Sequence, residues 1–256
     1  MTYDCIEVER DGGYTTIWMN LPKRRNALSL EHMLELTHAF REAGDSDAVG
    51  VILAGRGPVF SAGHDFADMA GADLAQMRKL LWTCTELMTT MQSIPQPVIA
   101  RVHSLATAAG CQLVATADLA VAADTAAFAL PGGKGGWFCT TPLVAVGRVV
   151  SRKRALELAF TGDPVDAATA ADWGLLNKAV PPEELEAATL DLLQRSTRGS
   201  TGSKALGKHA FYAQIDLDQP KAYAYAVEVM ASASQTPDAR EGVAAFLEKR
   251  HPKFTP

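Results

Sequence analysis

No stretch of the sequence is apolar for long enough to cross a bilayer, which argues against a membrane-spanning helix. No basic stripe runs along it either. The 24 Lys and Arg are outnumbered by 29 Asp and Glu, for a net charge of −5. A nucleic-acid partner would require such a stripe, so none is expected. Cysteine is scarce. Cys5, Cys84, Cys111 and Cys139 stand far apart, with no C-x-x-C pair and no histidine-rich spacing. That argues against a zinc site and against a disulfide framework, and no metal is expected. The opening segment MTYDCIEVERDGGY is acidic and has no apolar signal core, so a secretory leader is not expected. A reducing cytoplasm is the expected compartment. Fixed-period repeats and low-complexity tracts are also absent.

What remains is a chain of 256 residues, 48% hydrophobic and 21% charged, able to bury a sizeable core without staples. CIEVER and YTTIWMNL alternate as strands around the hairpin signal DGG. SLEHMLELTHAFREAG has a Ser N-cap, a glutamate in its first turn and a glycine stop, which predicts a helix. VGVILAG and PVIARV are short buried strands, with a long amphipathic helix, GADLAQMRKLLWTCTELMTTMQSI, between them. DLAVAAD and AAFAL read as further strands. From about residue 141 onward helical patterns alone are expected. This order predicts an α/β core with a C-terminal helical extension, and RGSTGSK near residue 200 is the best hinge candidate.

Two glycine-rich stretches fail as phosphate loops. VILAGRGPVFSAG follows a strand, but Phe60 takes the last glycine position of G-x-G-x-x-G and Pro58 stands where a helix should open. GGKGGWF contains no G-K-[ST] and reads by composition as a flexible loop. The segment HSLATAAGCQLVA raises a different question. Its side chains thin to Ala106, Thr107, Ala108, Ala109, Gly110 and Cys111, and its one polar helical group, Gln112, is an amide.

Together FSAGHDF, LATAAGCQLVATADLAVAAD and AFALPGGKGGWFCTTP resemble motifs of the crotonase superfamily, the enoyl-CoA hydratases and isomerases. The likeness begins at NLPKRRNALS, continues through FTGDPVDAATAADWGLLNKAVPPEEL and ends at EGVAAFLEKRHPKF, so it covers nearly the whole chain. It implies an α/β crotonase (ClpP-like) spiral of ββα units over residues 1–196. It also implies a C-terminal helical region, residues 197–256, that drives formation of a homo-trimer or, where trimers pair, a hexamer.

The resemblance further implies an acyl-CoA ligand, with coenzyme A entering only as part of the thioester and no separate cofactor. In such proteins two backbone N–H groups hold the thioester oxygen of an enolate. They fall here on His64 and Ala109. Ala109 lies near an expected helix start, where backbone donors have no intrahelical partner and the helix dipole favours negative charge. Small residues would let the oxygen approach, although tight packing of a buried helix also uses Ala and Gly. Losing one such donor typically costs on the order of 3 kcal/mol in barrier. Lys23, Arg24 and Arg25 match the segment along the adenosine and phosphate end of coenzyme A, or are a solvated charge run. Ala62, Asp65, Phe66 and Ala67 flank the first donor along the same ligand. Lys249 matches a lysine that reaches the 3′-phosphate, sometimes of a neighbouring subunit, or is a helix-end charge.

The pattern departs at the two glutamates that serve a hydratase. The first falls on Gln112, one helical turn past Ala109 and so expected over the same pocket; an amide cannot act as a base. The second falls on Gly132, which has no side chain. His64, Asp68, Cys139, Thr140 and Thr141 are the candidates for relocated proton transfer. Each also has a plainer role: Cys139 as a small buried residue, Thr140 or Thr141 as the N-cap before Pro142, His64 as pocket wall. Trp137, Phe138, Leu80, Leu81 and Trp82 line an acyl chain or belong to the core. Three readings stay open: a crotonase-fold enzyme with moved catalytic groups, a non-catalytic acyl-CoA binder, and an oligomerising subunit with a vestigial site.

Overall fold

The structure is a computed structural model that describes residues 2–254. Its strands, numbered in chain order, are β1 (Ile6–Asp11), β2 (Tyr14–Met19), β3 (Gly50–Gly55), β4 (Val98–Val102), β5 (Ala106–Thr107), β6 (Leu119–Ala123), β7 (Ala127–Ala129), β8 (Val165–Asp166) and β9 (Lys178–Val180). The β1–β2 hairpin is antiparallel, as its DGG turn predicts. From β2 the main sheet continues in parallel through β3, β4 and β6 to β9. A smaller sheet has the order β5-β7-β8.

The helices are α1 (Leu30–Gly44), α2 (Phe66–Met69), α3 (Leu74–Ser93), α4 (Ala109–Thr116), α5 (Thr140–Val149), α6 (Arg152–Thr161), α7 (Ala167–Asp172), α8 (Leu185–Thr197), α9 (Thr201–Gln214), α10 (Gln219–Ala233) and α11 (Pro237–Leu247). Their starts follow chemistry visible in the sequence. Ser29 Oγ accepts from the His32 N–H at 3.2 Å to open α1. Asp73 and Gln76 form a reciprocal capping box at α3.

Alternation along the central strands sorts two cores. Val51 and Leu53 of β3 face the large cluster that includes Leu36 and Phe40 of α1 and Leu87 and Met91 of α3. Ile52 and Ala54 face the opposite way, toward Leu185 and Leu193 of α8. A sheet covered on both faces explains why its strands read as continuous apolar runs.

Helices alone do not fill the chain beyond residue 141. β8 and β9 lie there, and β9 forms the edge of the main sheet. Strands of two and three residues are too short to show an alternation, and their partners lie far away in sequence. At α5 the cap residue is Cys139, whose side chain makes no capping bond, so neither Thr140 nor Thr141 is the N-cap. The RGSTGSK stretch joins α8 to α9 through residues 198–200.

One half-buried cluster pins α9 to the sheet layer. Lys208 Nζ contacts Asp118 Oδ2 at 2.7 Å and donates to the carbonyls of Met91 and Gln96. Asp118 also accepts from the Val98 N–H and from the Tyr212 hydroxyl, each at 2.7 Å. By contrast Phe211, Met230, Phe246 and Leu247 of α9–α11 are left exposed.

Candidate active site

The site is built where two loops are held side by side. Asn26 is fully buried and organises the first. Its Oδ1 accepts from the Leu21 N–H, and its Nδ2 lies at 2.8, 3.0 and 3.1 Å from the carbonyls of Arg56, Val59 and Phe60. Ser61 Oγ donates to the Asn26 carbonyl at 2.8 Å. The Leu28 N–H donates to Gly63 O, and the Asp65 N–H donates to Leu28 O. In this parallel bridge the intervening His64 N–H points to the other side. That side faces the start of α4. Gly63, at φ +86°, lies so close that an added Cβ would stand 2.9 Å from Thr107 O and 3.1 Å from Ala109 N.

Ala109 is the first residue of α4, and Ala108 before it takes the unusual angles φ +51°, ψ −119°. Its N–H therefore has no intrahelical partner. Among the described residues neither the His64 nor the Ala109 N–H bonds to another group of the chain. Both residues border one cavity of about 880 Å³.

The thin side chains of HSLATAAGCQLVA have two causes. Ala108 and Ala109 border the cavity, and bulk there would fill it. Gly110 and Cys111 do not border it. A Cβ on Gly110 would stand 2.4 Å from Ser61 O and 2.8 Å from Ser61 Cβ, so its bareness lets α4 rest on the Ser61 backbone. Cys111 is fully buried. We expect Gly110→Ala to destabilise the protein by about 1–3 kcal/mol through overpacking. The exposed helical Gly147, whose Cβ would meet nothing within 4 Å, should instead gain up to about 1 kcal/mol as Gly147→Ala. Urea unfolding of the two variants measures both; a stabilising Gly110→Ala would refute the close packing.

Of the residues read from the sequence, Ala62, His64, Phe66, Ala109 and Gly132 border the cavity, as do Leu81, Trp137, Phe138, Cys139, Thr140 and Thr141. Leu80 is core and Trp82 is exposed; neither borders it. Met69, Thr107, Pro131, Lys134, Gly135 and Pro142 also line it. Sequence reasoning missed them because the residue types carry no chemical signature there. The basic strip is exposed, and Arg24 forms an ion pair with Asp65, whose other oxygen accepts from the Ala67 N–H. The Arg25 carbonyl accepts from the Ala62 N–H at 3.0 Å, so Lys23–Arg25 runs beside the first loop. Lys249 lies just past α11, exposed and away from the cavity lining.

Two expectations need correction. Gln112 does not line the cavity. It is 5% exposed, and Cys84 Sγ lies 3.9 Å from its Oε1. One turn past Ala109, α4 has already turned that position toward α3. At Gly132 more than a side chain is missing. An added Cβ would stand 2.2 Å from Trp137 O and 2.8 Å from Cys139 Sγ. The segment read as flexible is a bonded turn: Trp137 N–H donates to Gly132 O at 2.9 Å, and Gly132 N–H donates to Cys139 Sγ at 3.3 Å.

The ionisable groups of the lining are His64, Lys134 and Cys139. Burial pulls the His64 imidazole below the ordinary histidine value, opposed by the Leu28 carbonyl and Asp68. Both of its ring nitrogens are buried, with no partner in hydrogen-bonding geometry among the described residues. Burial raises the Cys139 thiol, against the Gly132 N–H. Lys134 forms an ion pair with Asp163. Asp68, another candidate proton carrier, does not line the cavity and accepts from the Leu30 N–H at 2.7 Å.

Comparison with known proteins places this geometry. Residues 9–256 match the family model described as enoyl-CoA hydratase/isomerase. The mouse protein named enoyl-CoA hydratase domain-containing protein 3, mitochondrial, is 43% identical over 242 residues, covering 94% of this chain and 81% of that one. Its human namesake is 41% identical over 247 residues, covering 95% and 81%. The crystal structure of an enoyl-CoA hydratase from Mycobacterium smegmatis superposes with a TM-score of 0.94 at 42% identity, covering 98% of both chains. The fold is therefore the α/β crotonase fold. The expectation of a cytoplasmic location does not stand, because these relatives are named mitochondrial; the composition of the opening segment was too thin a basis for assigning a compartment.

Proposed function

The chain belongs to the enoyl-CoA hydratase/isomerase family, and from that premise we propose that it binds acyl-CoA thioesters and stabilises their enolate without two-glutamate hydration. The observation that carries this reading is the pair of unbonded N–H groups, His64 and Ala109, on one cavity. A thioester oxygen gains negative charge as an enolate forms, and two fixed donors stabilise that charge more than the neutral ground state. The helix dipole of α4 adds to Ala109.

Coenzyme A runs along Lys23, Arg24, Arg25 and the 65–67 strip, where the Asp65–Arg24 ion pair holds one cation beside the first donor. Lys249 reaches the 3′-phosphate of a ligand in a neighbouring copy. The C-terminal region, residues 197–256, assembles a homo-trimer or a hexamer. The exposed Phe211, Met230, Phe246 and Leu247 support such a contact. No separate cofactor is required.

Among the described residues the cavity lining holds no carboxylate, which leaves water activation and proton shuttling of the two-glutamate kind without a group to act through. The same observation favours, as a second reading, a binder that does not turn over. Crotonyl-CoA and longer 2-enoyl-CoAs separate these readings from the family reaction. We expect calorimetric binding with no loss of enoyl absorbance at ordinary hydratase rates. Rapid hydration would overturn the assignment, and absence of binding would remove the acyl-CoA ligand altogether.

A further inference from the structure

RGSTGSK, the stretch that reads as a hinge, carries two cations, three hydroxyls and two glycines, with no acid. The structure makes it the start of α9, a helix of 14 residues. Ser200 is the N-cap, and its Oγ accepts from the Ser203 N–H at 3.0 Å. The N–H groups of Thr201 and Gly202, the first two residues of the helix, bond to no other group among the described residues. Both residues border a cavity of about 670 Å³. It shares no residue with the cavity of the two donors. That one lies beyond the ends of β3 and β4, whereas this one is lined by the turns that lead into the same strands. Lys204 borders it from the first turn of α9 and forms no ion pair among the described residues. Two backbone donors at the positive end of a helix and one ammonium therefore meet at one space.

The turns leading into the strands supply the opposite kind of group. Gln96, just before β4, borders the cavity and is 6% exposed. Its Nε2 donates to the Gly44 carbonyl at 3.3 Å, while its Oε1 is buried with no donor among the described residues. A buried amide oxygen in a native fold ordinarily has a donor, from the chain or from something bound. Asp47, three residues past Gly44, borders the same space and is the one acid of its lining. Phe254 covers part of it, with its ring near the backbone of Gly199.

We propose that this second cavity binds a small phosphate monoester that carries hydroxyl groups, of the polyol-phosphate class. The phosphate oxygens accept from the N–H groups of Thr201 and Gly202 and from the Lys204 ammonium. Three donors match the three free oxygens of a monoester, one more than a carboxylate has. The hydroxyl groups donate to Gln96 Oε1 and to Asp47. A second anionic group at that end would meet the Asp47 carboxylate, so the ligand has one charged head and a neutral tail. The site stands apart from the acyl-CoA reading and does not depend on it.

The test uses the full chain with glycerol 3-phosphate, inorganic phosphate and glycerol, each titrated by calorimetry. Glycerol 3-phosphate should bind with a Kd at or below about 1 mM and about tenfold tighter than inorganic phosphate, with no binding of glycerol. Thr201→Pro removes one N–H donor and keeps the helix start, since proline is favoured at the first helical position. It should weaken glycerol 3-phosphate about fivefold, whereas Thr201→Ala, which keeps the N–H, should stay within about twofold. Lys204→Gln should cost about tenfold. An excess of coenzyme A should leave the titration unchanged. Circular dichroism checks that each variant is folded. Absence of binding by both phosphate compounds, displacement by coenzyme A, or full affinity in folded Thr201→Pro and Lys204→Gln overturns the site. Equal affinity for inorganic phosphate and glycerol 3-phosphate overturns the role given to Gln96 and Asp47.

Discussion

Lys208→Met is expected to cost about 2–3 kcal/mol of folding stability, less than the ~3–5 kcal/mol of breaking a fully buried ion pair, because both side chains keep some exposure. Lys208 is held at the junction of α9 with the sheet layer by Asp118 and by the carbonyls of Met91 and Gln96. Without it the half-buried Asp118 carboxylate loses the cation paired to it, and two carbonyls lose their donor. Hydrophobic pairs sometimes replace buried ion pairs at little cost, but this pair is not isolated. Removing Asp118 as well would take the acceptor from the Val98 N–H and from the Tyr212 hydroxyl, so Lys208→Met with Asp118→Leu should not recover the loss. Urea unfolding at neutral pH measures both variants; a shift below about 1 kcal/mol for Lys208→Met would show that α9 is held by other contacts.

The same cluster predicts an alkaline weakness. Burial first, and then Asp118, raises the Tyr212 phenol above its ordinary value. Above about pH 10 the unfolded phenol gives up its proton while the folded one keeps it. The unfolded state then binds fewer protons, and stability falls as pH rises. Lys208 has the opposite sign, because burial lowers it despite Asp118. Just below the ordinary lysine value the unfolded state keeps the proton longer, which favours folding as pH rises. Tyr212→Phe should therefore flatten the fall above about pH 10 and leave the lysine contribution in place.

How much of this was legible depends on how local the cause is. The start of α1 could be read because Ser29 and its partner N–H are three residues apart. The two donor residues could be named because each sits inside a motif that resembles a known family. The Lys208 cluster could not be read. Lys208 and Tyr212 are one helical turn apart, but Asp118 lies 90 and more residues away, and nothing in its own segment DLAVAAD points there. β9 was invisible for a similar reason, since three residues show no periodicity and its partner among the described residues is the distant β6. The small residues from 106 to 111 were legible as an anomaly but not as two anomalies. Only the structure separates Ala109, which leaves the cavity open, from Gly110, which lets α4 meet Ser61.

Gln112→Glu combined with Gly132→Glu should not create a hydratase, although it restores both residue types that the family reaction uses. At position 132 the obstacle is the first carbon of any side chain. A Cβ there would stand 2.2 Å from Trp137 O and 3.1 Å from Cys139 N, both backbone atoms of a turn that closes on Gly132 itself. Neither can yield without opening the turn that borders the cavity. We expect Gly132→Ala to cost about 3 kcal/mol, and Gly132→Glu to cost little more, because the clash is already complete at Cβ. At position 112 the obstacle is the surroundings. A carboxyl in place of the amide would be buried beside Cys84, so burial would raise its pKa and favour the protonated form. It could not then activate water. Unfolding curves of Gly132→Ala and Gly132→Glu, with crotonyl-CoA absorbance for the double variant, make the test. Hydration at ordinary rates by the double variant, or an alanine tolerated at 132, would mean that the turn relaxes and that the absence of glutamates alone separates this cavity from a hydratase's.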